Sequence, residues 1–124
     1  MWVEKRNVIV EMTLNFSIAI VKFAEELEKR QKFVIANQIL RSGTSIGANV
    51  TEAQNAESKK DFIHKMKIAT KEASETKYWL LICERSESYP FDQKLMDMVE
   101  QISKVLSRIL ATTKKNILNA DNDL

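Results

Sequence analysis

The sequence predicts an all-α protein, an antiparallel up-down-up-down four-helix bundle. Three observations carry that reading. Two glycines and one proline in 124 residues leave little material for tight turns or hairpins. Ala, Leu, Ile, Lys, Glu and Met dominate, and most of these are good helix formers. Apolar residues recur in steps of three and four over four long segments separated by short polar breaks. The length is that of one domain, expected over residues 1–118, with the polar stretch 119–124 as a frayed tail.

The first helix is expected over about residues 7–28, with Ile9, Leu14 or Phe16, Ile20, Phe23 and Leu27 inward and Asn7 or Thr13 as cap. The charged cluster from Glu28 to Lys32 ends it. The second helix, about residues 33–54, carries Ile35, Ile39, Ser42, Ile46, Asn49 and Ala53 beside a stripe of Ala36, Leu40, Gly43, Gly47 and Val50. Each interior glycine costs about 1 kcal/mol relative to alanine, so the pair implies a compensating close approach of a second backbone.

The third helix, about residues 58–86, opens with Ser58 and Asp61 in the pattern of a capping box. Its seam is Phe62, Met66, Ala69, Ala73, Thr76, Leu80 and Cys83, in steps of four and three. The small residues in its middle are expected to face the small stretch of the second helix. Pro90 disfavours helix in the preceding residue and separates this helix from the fourth, about residues 92–117. Asp92 caps the latter, and Leu95, Val99, Ile102, Leu106, Ile109 and Thr113 point inward. Ile68, Trp79, Ile82, Val10, Phe16 and Met96 exceed what one narrow interior accommodates, so self-association is expected.

Net charge is +2, without the large basic excess of a dedicated nucleic-acid binder. Lys104, Arg108 and Lys115 nevertheless share a helix face, with no acid between them in the sequence. They are either a phosphate-binding stripe or a solvated face whose cations suit the helix dipole. The single cysteine, Cys83, lies in an apolar run and reads as a buried thiol. There is no secretory signal and no apolar run long enough to span a bilayer, so a cytoplasmic protein with no membrane partner is expected.

Catalytic signatures are sparse. His64 is the only histidine, which excludes a multi-histidine metal site within one chain, and its position on the third helix is far from Cys83. Glu52, Glu72 and Glu75 are the carboxylates best placed for acid–base or metal chemistry, yet no Glu-x-x-His accompanies them. Phosphate-binding glycine loops and nucleophile elbows are absent from the sequence. No cofactor, metal or small-molecule substrate is implied, and an enzyme is not expected. What remains is a polar strip on the second helix, Gln38, Arg41, Ser45, Asn49 and Glu52, which Lys67, Lys71, Glu72 and Glu75 of the third can meet. The strip reads either as an interhelical network or as a recognition surface.

The composite motif Gln38-x-x-Arg41-Ser42-x-x-Ser45-Ile46-x-Ala48-Asn49-Val50-x-Glu52-Ala53, then Ser58-x-x-Asp61-Phe62, then Ile68-Ala69-x-Lys71-Glu72-Ala73-x-Glu75-Thr76, resembles a known family. Its members are four-helix bundles encoded in intervening sequences of bacterial 23S ribosomal RNA genes, often labelled S23 ribosomal protein. The match is good over about residues 13–86 and rests on pattern alone in the fourth helix. The resemblance implies a homopentamer with no established enzymatic activity. It assigns no biochemical role to Arg41, Ser45, Asn49, Glu52, Asp61 or Glu75. A similar bundle, the accessory variability determinant of diversity-generating retroelements, is a basic pentamer that binds nucleic acid and a reverse transcriptase. Three functions follow as expectations: an oligomeric scaffold that binds structured RNA, a protein adaptor for a nucleic-acid-processing enzyme, or, least favoured, a carboxylate-based enzyme.

Overall fold

The computed structural model describes residues 2–122, with side chains described for residues 8–119. Four helices follow in order: α1 (Trp2–Lys29), α2 (Phe33–Ala53), α3 (Lys59–Arg85) and α4 (Gln93–Asn122). Each consecutive pair packs together and α4 returns to α1, while the backbones of diagonal pairs stay farther apart across the shared core. Short connections between antiparallel neighbours make this an up-down four-helix bundle.

The breaks have local chemical causes. After α1, Gln31 adopts a left-handed φ of 62°. Its amide donates to the Glu28 carbonyl at 2.9 Å and the Lys32 amide to that of Leu27 at 2.9 Å, which closes the helix end. Ser58 caps α3, accepting from the Asp61 amide at 3.0 Å. The Asp61 carboxylate reaches back to the Glu57 amide at 3.3 Å, one residue beyond the usual reciprocal partner. Asp92 caps α4 by accepting from the Lys94 amide at 3.0 Å. At this end of the bundle Lys32 ties the two loops together: its Nζ lies 3.4 Å from Ser88 Oγ and 4.8 Å from the Tyr89 ring centre.

The core follows the heptad seams. All seven residues of the expected α3 seam are buried, as are the six of α4. In α1 the inward residue is Phe16, fully buried, whereas Leu14 is half exposed. Phe16 and Met96, assigned above to surplus apolar surface, belong to the interior. Val10, Ile68, Trp79 and Ile82 are partly covered.

Four expectations need correction. Helix α1 begins at Trp2, so Asn7 and Thr13 lie within it and neither occupies its N-cap position. Thr13 turns its hydroxyl onto the carbonyls of Ile9 at 2.8 Å and Val10 at 3.1 Å, satisfying itself within its own helix. Helix α4 runs through the polar segment to Asn122 where a frayed tail was expected, because a helix without an apolar face can extend one already nucleated; residues 123–124 lie outside the described residues.

The glycines, finally, face α1 and not α3. A Cβ on Gly43 would lie 2.8 Å from Ile20 Cγ2, and one on Gly47 would lie 3.3 Å from Thr13 Cβ and its carbonyl oxygen. The small middle of α3 does meet α2, but at Ser42, whose hydroxyl is buried 2.9 Å from that of Thr76.

Candidate functional site

The polar strip of α2 is largely turned on its own helix or on α3. Arg41 spans the interface, with one guanidinium nitrogen 3.3 Å from Glu72 Oε1 and the other paired with Glu75. Glu75 also accepts from the Trp79 indole N–H at 3.3 Å. One turn on, Ser45 Oγ donates to the Arg41 carbonyl at 2.6 Å, and Asn49 Nδ2 to the Ser45 carbonyl at 2.8 Å. Glu52 closes the strip with Lys65 of α3 at 3.1 Å. Gln38 is half-buried, and Lys71 is exposed outside this network.

The structure therefore joins Arg41 to Glu72 and Glu75 and Glu52 to Lys65, but leaves Lys71 apart. With the Arg41 side chain 52% exposed, such pairs contribute at most about 1 kcal/mol each. Their value lies in fixing how α2 and α3 slide against each other.

The carboxylates proposed for chemistry are thus the carboxylates held by cations. Among the described residues no group of three or more His, Cys, Asp or Glu side chains is placed to hold a metal ion. His64 is exposed. Burial pushes the Cys83 thiol from 9.0 up to about 11, so little thiolate, the nucleophilic form, exists at neutral pH. No helix among the described residues is long and apolar enough to cross a membrane.

The cationic stripe of α4 has a different character. Lys104, Arg108 and Lys115 are all exposed, and none enters an ion pair among the described residues. Lys104 and Arg108 share an open groove of about 440 Å³ with Lys77 of α3 and with Glu100, Ser103 and Ser107. Lys77 escaped the sequence reading. The helical spacing that collected the α4 cations could have placed it on the outer flank of α3, but only the register of two antiparallel helices sets it beside Lys104.

Apolar surface forms the second exposed feature. Leu14, Ile18 and Val21, spaced by four and three, stand 51%, 49% and 41% exposed along α1. Phe33 and Val34 are open at the start of α2, and Tyr78 and Leu81 on α3.

The fold and surface define a class first: a four-helix bundle with an ion-paired polar strip between two of its helices and with exposed apolar and basic patches on an otherwise mixed surface. The sequence model of the 23S rRNA-intervening sequence proteins matches residues 5–108, and the chain belongs to that family. It is similar to a crystal structure of a protein of unknown function from the S23 ribosomal protein family of Bacteroides thetaiotaomicron VPI-5482. The two are 44% identical, with a TM-score of 0.82 over 86% of this chain and 98% of that one. Comparison with curated proteins gives no match.

Proposed function

We propose that the protein is a non-catalytic, self-associating bundle that binds and scaffolds structured RNA in the cytoplasm. The observation that carries this reading is the outer face of α4, where Lys104, Arg108, Lys114 and Lys115 are exposed and no acid occurs between residues 103 and 118. Such a face attracts phosphates by counterion release. The family's description, which refers to 23S ribosomal RNA, makes fragments of that RNA the first probes.

Self-association is supported by the apolar row Leu14, Ile18 and Val21, which a lone bundle leaves half in water. A homopentamer is the expected assembly. Light scattering coupled to size exclusion tests it, and a monomer at micromolar concentration contradicts it. Mobility shifts with ribosomal RNA fragments at about 50 and about 200 mM salt test the RNA reading, and absence of binding at the lower salt ends it.

A protein partner is the second reading, supported by Tyr78, 59% exposed and edge-on to Trp79 at 5.5 Å between ring centres. An adaptor for a nucleic-acid-processing enzyme, such as a reverse transcriptase, would use such a surface. Pull-downs from the native cells that recover no polymerase count against it.

A further inference from the structure

We infer that the groove between α3 and α4 is where the RNA backbone sits, with Lys77, Lys104 and Arg108 as its phosphate contacts. This inference rests on the RNA reading above and adds the surface to it. Several cations elsewhere on the described surface are engaged or balanced, while Lys29, Lys59, Lys60, Lys67, Lys71 and Arg85 stand exposed and form no ion pair among the described residues. Arg41 serves Glu72 and Glu75, Lys65 serves Glu52, and Arg30 serves Glu26 at 3.1 Å. Lys32 is held by Ser88 and the Tyr89 ring. The groove between α1 and α4 mixes Lys22, Arg30 and Lys94 with Glu26 and Asp92.

The α3–α4 groove is different: three cations converge from two helices, none ion-paired among the described residues, with Glu100 as the one acid. Ser107 has a hydroxyl that no hydrogen bond within the described residues consumes, so it can donate to a phosphate oxygen. Ser103 lines the same wall, but its hydroxyl already donates to the Val99 carbonyl at 2.9 Å.

The basic track also has direction. Because α3 and α4 are antiparallel, residues before Lys77 run beside residues after Lys104. Lys115 follows Lys104 by eleven positions, close to three full turns, so α4 presents a further cation on the same face about 16 Å along the axis. Residues 103–118 of α4 contain no acid, and on α3 the acids nearest before Lys77, Glu72 and Glu75, are held by Arg41. Glu100 lies at the opposite end, where its charge repels phosphate and marks where the track stops.

The test uses the full chain and a labelled ribosomal RNA hairpin, with binding followed over a salt series. The variant K77Q/K104Q/R108Q removes the groove's cations. A second variant, K22Q/K29Q/K94Q, removes the same charge from exposed sites elsewhere. Melting curves that match the unsubstituted chain establish that both are folded. The groove variant is expected to lose about tenfold or more in affinity at low salt, and its log–log salt slope to fall by about two to three. The control variant should stay within about twofold of the unsubstituted chain, and Glu100→Gln should bind more tightly. Unchanged binding by the groove variant overturns the groove while the RNA reading stands. An equal loss in the control also overturns it, because net charge would then explain both. Failure of the unsubstituted chain to bind at low salt overturns both readings together.

Discussion

Helix α2 meets its two neighbours in opposite ways. Towards α1 it presents no side chain at Gly43 and Gly47, and the space belongs to Ile20 and Thr13. Towards α3 it presents Ser42, which bonds Thr76 in the dry interior, and Arg41, which reaches Glu72 and Glu75 at the surface. The first flank brings backbones together by omission and depends on volume. The second is held by directional groups that fix register and tolerate little sliding. Volume errors in a packed core cost more than the loss of one exposed pair, so the two flanks should fail unequally.

The largest effect is expected from Gly47→Leu. Its side chain has no room beside Thr13, and stability in urea unfolding should fall by about 3 kcal/mol or more, with assembly disturbed. Unchanged unfolding and mass would show that close approach is not needed there. Gly43→Ala is the sharper probe, since its Cβ would sit 2.8 and 2.9 Å from buried Ile20 carbons. It should lose about 1–3 kcal/mol despite alanine's better helix propensity. In an Ile20→Ala background the two closest carbons are gone and only a Cβ contact at 3.3 Å remains, so the same change should lose nothing and gain up to about 1 kcal/mol from helix propensity. A loss in both backgrounds would place the strain elsewhere.

On the other flank, Thr76→Val leaves the buried Ser42 hydroxyl without its partner and should lose about 1–2 kcal/mol. The double change Ser42→Ala/Thr76→Val should recover most of that loss. A double variant no better than the single would remove this bond from the account. Arg41→Ala should lose the least, below about 1 kcal/mol, and less again in high salt. A loss as large as that of Gly43→Ala would erase the distinction between the flanks.

Much of the fold was legible because helix periodicity is a local code. The α3 seam from Phe62 to Cys83 is buried residue for residue, and the three breaks fall within one residue of where charge, proline and capping side chains put them. The outer ends were not legible. Nothing near Trp2 marks a start, and the polar end of α4 looks like a tail until it is seen to prolong a helix of 30 residues. In α1 both Leu14 and Phe16 fit an inward pattern, and burial alone chose Phe16. Of the polar strip, the pairing of Arg41 with glutamates of α3 was readable from spacing. Lys77 was not, because its neighbours come from α4.

By itself, the sequence determined four amphipathic rods, their inward faces and a glycine pair that demands a near neighbour. The tertiary structure decided which neighbour that is, bringing α1 rather than α3 against Gly43 and Gly47. It also set Lys77 beside Lys104 and Arg108. The reason is physical: periodicity fixes which side of a helix is apolar, whereas the hand of the bundle and the slide of one helix along another emerge only when the rods are packed together.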